Sequence, residues 1–189
     1  MLKSENSAAY SSADAHLVAR IRAGDADAFE IVVGQYQAPL YRYLYSLVGD
    51  AEQARDLVQE TFLRAYRSIN SLNDAGLLRS WLYRIAHNQA YSALRRQRLI
   101  QWLPLLSSHR SNHTPEQHSI EQTQVEAALI QLPFEQRAPL LLHLVAGFSY
   151  TEIAELLQIS EGAVRMRISR GRAGFRAAYG DQEVNDDAS

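Results

Sequence analysis

From Asp50 to Ile69 the chain repeats its apolar residues at a helical interval. Ala54, Leu57, Val58, Phe62, Ala65, Tyr66 and Ile69 fall on the i, i+3, i+4, i+7 stripe of an amphipathic helix. No run of useful length alternates as a half-buried strand does, so the pattern predicts an all-α fold. Asp50 is placed to cap this helix, with Gln53 three residues on as the reciprocal partner of a capping box. Asp14 to Arg22 reads as a short helix stopped by Gly24. Asp25 caps another that passes Pro39 and ends at Gly49. Ser71-Leu-Asn-Asp-Ala-Gly76 is dense in turn formers, and a helix follows from about Leu77 to Arg98.

Residues 100–121 interrupt the periodicity with Pro104, Ser107, Ser108, Asn112, Thr114 and Pro115, and read as a flexible linker. Helical pattern resumes near Glu116 and runs to Leu132. Pro133 opens a further helix toward Val145. Pro139 sits awkwardly inside it, implying a kink or a later start. The expected organisation is a disordered N-terminus (1–13), a helical domain (14–99), the linker (100–121), a second helical domain (122–179) and a disordered acidic tail (180–189). The two domains are expected to be tethered yet separate.

The net charge of −2 conceals two basic blocks. Residues 77–110 hold six arginines and no acid; residues 160–180 hold five arginines and only Glu161. Positive blocks in an otherwise acidic chain are the footprint of a phosphate-backbone binder. Arginine, which makes up all but one of the basic residues, suits bidentate contacts to phosphate and guanine.

The second block lies in a helix-turn-helix pattern. Ser149 and Glu152 form a capping box, Ile153, Ala154, Leu156 and Leu157 an apolar face, Gln158-Ile-Ser160 a tight turn, and Ser160 the next cap. Val164, Ile168, Gly171 and Phe175 lie within about 60° of one another on a helical wheel and predict a buried seam. Met166, Ser169 and Arg170 lie opposite, flanked by Arg165, Arg167, Arg172 and Arg176, as on a major-groove recognition helix. In the first block Trp81 is expected in the core. Tyr83, His87 and Tyr91 add stacking surfaces among arginines, which suits unstacked bases. Asn88 carries an amide able to read a base edge.

Three stretches of the first domain resemble domain two of bacterial extracytoplasmic-function (ECF) sigma factors: Asp25-Ala-Asp-Ala-Phe-Glu30, Asp56-Leu-Val-Gln-Glu-Thr-Phe-Leu-Arg-Ala-Tyr66 and Ser80-Trp-Leu-Tyr-Arg-Ile-Ala-His-Asn88. Leu132-Pro-Phe-Glu-Gln-Arg137, Gly147-Phe-Ser-Tyr-Thr-Glu-Ile-Ala-Glu155 and Gly162-Ala-Val-Arg-Met-Arg167 resemble their domain four. The resemblance implies a factor that binds core RNA polymerase, recognises −35 and −10 promoter elements and promotes strand opening. It implies contact between Asp56, Gln59, Glu60 and Leu63 and the clamp helices of the largest subunits, and between domain four and the flap region. It assigns Asn88 and the loop residues Leu72, Asn73 and Asp74 to an extruded −10 base. Arg84, Arg95, Arg96 and Arg98 fall to nearby phosphates, and Arg165, Met166, Ser169 and Arg170, flanked by Arg167 and Arg172, to the −35 element. An anti-sigma factor is an implied partner.

Family loops often carry Phe, a basic residue and Gly where this chain has Leu72, Asn73 and Asp74, so an unusual −10 preference is expected. Met166 favours apolar contact such as a thymine methyl. The alternative is a stand-alone helix-turn-helix regulator, which would leave the Asp56–Tyr66 and Trp81–Asn88 stretches without a role. His109, His113 and His118, near Glu116 and Glu121, do not make a clean ligand face. No catalytic constellation, cofactor or metal is expected, and with Lys3 the only lysine there is no phosphate loop. No run approaches the roughly 18 apolar residues of a membrane span, and a cytoplasmic protein is expected.

Overall fold

Several helices begin where a short polar side chain satisfies a free amide. In the computed structural model, which describes residues 13–101 and 120–186, α1 covers residues 13–22 and ends in a turn at Gly24, φ 90°. The Asp25 carboxylate then accepts from the Ala28 amide at 3.2 Å and starts α2 (Ala26–Val48). Gly49, φ 73°, closes α2 in the left-handed conformation that glycine adopts without steric cost. Asp50 accepts from the Gln53 amide at 2.7 Å and starts α3 (Ala51–Ser68). Short 3-10 turns at Ile69–Ser71 and Ala75–Leu77 lead into α4 (Leu78–Gln101).

The second unit comprises α5 (Ile120–Gln131), α6 (Phe134–Leu144), α7 (Tyr150–Leu157) and α8 (Glu161–Asp186). Every element among the described residues is helical. Arg137, almost fully buried, donates to the carbonyls of Leu129 (3.3 Å) and Ile130 (3.0 Å) in the last turn of α5. Burial, then the charge of Arg98, lowers its pKa to about 10. Pro139 lies inside α6, which starts at Phe134 rather than later. Its ring is buried, and that burial offsets the lost amide donor. α8 extends past Gly180 to Asp186. One glycine costs a helix only about 1 kcal/mol, and no proline follows to stop it.

The core of the first unit joins Val18, Val32, Leu40, Tyr43, Leu44, Phe62, Trp81 and Leu82; that of the second joins Leu141, Leu142, Ile153, Val164 and Ile168. The units are not separate. Apolar residues at their junction form one continuous core: Tyr83 meets Phe148 edge-on at 5.0 Å, and Phe134 lies 5.2 Å from the His87 ring and 5.3 Å from Tyr91. The Tyr45 hydroxyl donates to Glu126 at 2.7 Å, and Arg79 donates to the Ala146 carbonyl. Packing these aromatics together removes apolar surface from water at the junction. The linker histidines and Glu116, the N-terminal residues 1–12 and residues 187–189 lie outside the described residues.

Candidate nucleic-acid interface

The recognition helix is built as its pattern requires. Ser149 and Glu152 complete the capping box of α7, and Gln158 takes the left-handed conformation, φ 55°, that turns the chain sharply. Ser160 then accepts from the Ala163 amide at 3.2 Å and starts α8. Val164 and Ile168 are buried. Gly171 lets α8 approach α6 so closely that an added Cβ would sit 3.0 Å from the Gln136 carbonyl oxygen.

Arg165, Met166 (48% exposed), Ser169, Arg170 and Arg172 face solvent. Arg165 is steadied by Glu161 at 2.7 Å and lies 5.7 Å from the Tyr150 ring centroid. Arg167 differs: it is half-buried, 4.0 Å from the Glu135 carboxylate, and its charge bears on His87 of α4.

On α4, Arg84, Asn88, Arg95, Arg96 and Arg98 are exposed. Tyr83 is buried and His87 half-buried, so neither offers the free stacking face read from the sequence. The Tyr43 hydroxyl lies 3.3 Å from His87 Nδ1, and burial, then the Arg167 charge, lowers the histidine pKa to about 4. Trp81 is core, as expected.

In the loop, Asn73 and Asp74 are exposed. Leu72 is only 4% exposed, so its side chain anchors the loop and offers no surface to a base. Its carbonyl accepts from Arg22 of α1, which also reaches the Ile69 carbonyl at 3.1 Å. The Asp74 carboxylate accepts from the Gly76 amide at 2.9 Å, so part of its role is to shape the turn. The sequence reading missed Arg22, because a lone arginine on a short helix carries no local sign of such a role.

On α3, Asp56, Gln59 and Leu63 (51% exposed) face solvent, and half-buried Glu60 pairs with Arg64 at 2.7 Å. Tyr66 is not part of the buried stripe. It is 53% exposed and packs edge-on against Phe29 at 5.0 Å. Thr61 takes the buried place instead. It donates to the Leu57 carbonyl and accepts from buried Gln89 of α4 at 3.3 Å. A polar groove of about 370 Å³ between α3 and α4 brings Asp56 and Glu60 beside Arg96. The two faces assigned to polymerase and DNA therefore share an edge.

The Sigma-70 region 2 family matches residues 32–100, and the Sigma-70, region 4 family matches residues 122–173. The chain is an ECF sigma factor of the sigma-70 family. The sigma factor is 33% identical to the RNA polymerase sigma-H factor of Pseudomonas aeruginosa over 174 residues, 84% of this chain and 90% of that protein. It is 29% identical to the ECF RNA polymerase sigma factor SigW of Bacillus subtilis, over 87% of this chain and 95% of that one.

Among solved structures, it resembles CnrH in complex with the cytosolic domain of CnrY: TM-score 0.69, 27% identity, 87% of this chain and 96% of that one. It also resembles the sigma factor RpoE in complex with the anti-sigma factor NepR from Bartonella quintana: TM-score 0.67, 26% identity, 79% and 95% coverage. The match over residues 32–100 excludes the stand-alone regulator, which needs no region 2. No described helix is long and apolar enough to cross a membrane, and no described cluster of acids and histidines could hold a metal.

Proposed function

We propose that this sigma factor divides its work among three surfaces. Asp56, Gln59, Glu60 and Leu63 dock on the clamp helices of core RNA polymerase, and residues 122–179 meet its flap region. Asn88, with Asn73 and Asp74, captures an extruded −10 base while Arg84, Arg95, Arg96 and Arg98 hold phosphates. Arg165, Met166, Ser169, Arg170 and Arg172 read the −35 element in the major groove, and Arg167 joins them once free of Glu135. The observation that carries this reading is α4, which turns four arginines and Asn88 to solvent with no acid along the helix.

Unstacking a base costs about a few kcal/mol, which its capture offsets, so initiation by this protein runs on binding energy and not on covalent chemistry. Its place of action is the cytoplasm, with the polymerase. A dedicated anti-sigma factor covers the Gln59–Leu63 surface and the domain-four groove; two similar structures hold partners, one of them named an anti-sigma factor.

Run-off transcription with core polymerase on a promoter library tests the assignment. The wild-type chain should select defined start sites, Asn88→Ala should lose strand opening, and Arg165→Ala should weaken −35 selection by about 1–3 kcal/mol. Unchanged promoter choice in both variants refutes it.

A further inference from the structure

Two neighbouring residues of α7 restrain one arginine of α8. The Thr151 hydroxyl donates to Glu161 Oε2 at 3.1 Å, and Glu161 Oε1 accepts from Arg165 at 2.7 Å. The ring of Tyr150 lies 5.7 Å from the same guanidinium. That ring is braced in turn from α6, where His143 packs edge-on against it at 4.9 Å and donates through Nδ1 to the Phe148 carbonyl at 2.9 Å. Arg167 is drawn to Glu135 instead. Arg170 and Arg172, exposed on the same helix, have no carboxylate or ring partner among the described residues. Arg165 is therefore set apart from its neighbours by a three-residue chain, Thr151 to Glu161 to Arg165, that joins the two helices of the motif.

All three members of the chain are exposed. An isolated exposed ion pair adds little to stability, because water screens it and two long side chains must be ordered. The effect of the chain lies in geometry. Reading a guanine needs the planar guanidinium aimed at N7 and O6 together. A free arginine loses rotamer freedom when it takes up that pose, and the loss weakens binding. A guanidinium already held at one nitrogen loses less. It carries five N–H donors, so the bond to Glu161 leaves donors for a two-pronged contact. Glu161 is poorly placed to read a base itself, since both its oxygens already accept.

We propose that Glu161 is a positioning residue for promoter choice: tied to α7 through Thr151, it fixes the Arg165 guanidinium for a guanine of the −35 element. The inference rests on the reading of α8 as the −35 helix. It adds to that reading two residues, Thr151 and Glu161, that act on selectivity without touching a base.

The test uses core polymerase reconstituted with the full chain, and run-off from templates that carry each single base-pair change in the −35 element. Arg165→Ala identifies the base pair that Arg165 reads, as the one whose discrimination falls about tenfold or more. At that pair alone, Thr151→Val and Glu161→Gln should each lower discrimination about two- to fivefold. Thr151→Ser keeps the hydroxyl and should match wild type. Discrimination is a ratio between templates, so the general gain in DNA affinity from removing a carboxylate cancels. In the Arg165→Ala background neither substitution should lower discrimination further. Full discrimination in either Thr151→Val or Glu161→Gln, a loss spread over the whole element, or a loss that adds to that of Arg165→Ala overturns the inference. An Arg165→Ala chain that discriminates as wild type does would instead sink the −35 reading of α8, so the two failures are distinguishable.

Discussion

The guanidinium of Arg79 lies 4.1 Å from the centroid of the Phe148 ring and donates to the carbonyl of Ala146. One side chain of α4 thus grips the turn between α6 and α7. A cation over an aromatic ring out of bulk water contributes about 1–2 kcal/mol, and the hydrogen bond about 1 more. Arg79→Ala should therefore loosen the junction by about 2 kcal/mol while each unit keeps its helices. Because the chain has no cysteine, two introduced thiols on exposed positions of α3 and α8 can carry a fluorophore pair. Energy transfer should fall in the variant with far-ultraviolet circular dichroism unchanged.

His87 gives the junction a pH dependence. Its pKa is about 4 in the folded chain against an ordinary 6.5, so between these values the unfolded chain binds the extra proton. The stability tied to the neutral ring is complete above about pH 6.5 and is lost as pH falls toward 4, by on the order of 2–3 kcal/mol. Buried Asp14, whose carboxyl pKa is raised by burial and only partly lowered by the Tyr36 hydrogen bond, works in the opposite direction. Comparing urea midpoints of wild type and His87→Gln from pH 7 to 4.5 isolates the histidine. The difference between them should change by this amount.

Leu72 and Asn73 are neighbours with opposite fates. Leu72→Ala removes a buried side chain and should cost about 2–4 kcal/mol, visible as a lower melting temperature. Asn73→Ala, at an exposed position, should leave melting unchanged and alter −10 selectivity in run-off assays.

Gly171→Ala places a methyl group 3.0 Å from a backbone oxygen of α6, which cannot rotate away. Overpacking of this kind should cost about 1–3 kcal/mol. At Gly174 the added methyl would meet only the end of the Leu132 side chain, so Gly174→Ala should be milder. Thermal melting of the two variants checks the order.

Leu63→Glu changes an exposed position and should leave folding intact. Binding to core polymerase, measured by co-sedimentation, should fall at least tenfold.

Local chemistry was readable in advance. Asp25, Asp50, Ser149 and Ser160 cap the helices their positions implied, because a cap depends on residues three apart and little else. The seam of Val164 and Ile168 followed from period alone. What escaped the sequence depends on surfaces brought together from far along the chain. Tyr83 and His87 look like free aromatics until Phe148 and Phe134 cover them. Tyr66 fits the helical stripe by angle, yet α2 ends its cover at Phe29 and leaves the ring in water. Thr61 was passed over as polar, although an i−4 carbonyl and Gln89 satisfy it.

Arg22 tethers the segment after α3 by its carbonyls, from a helix with no assigned nucleic-acid contact. Genetic selections for altered start-site preference should therefore return alleles at Arg22 alongside those in the segment itself. Tags or truncations that disturb the first helix would be mistaken for changes in sequence reading.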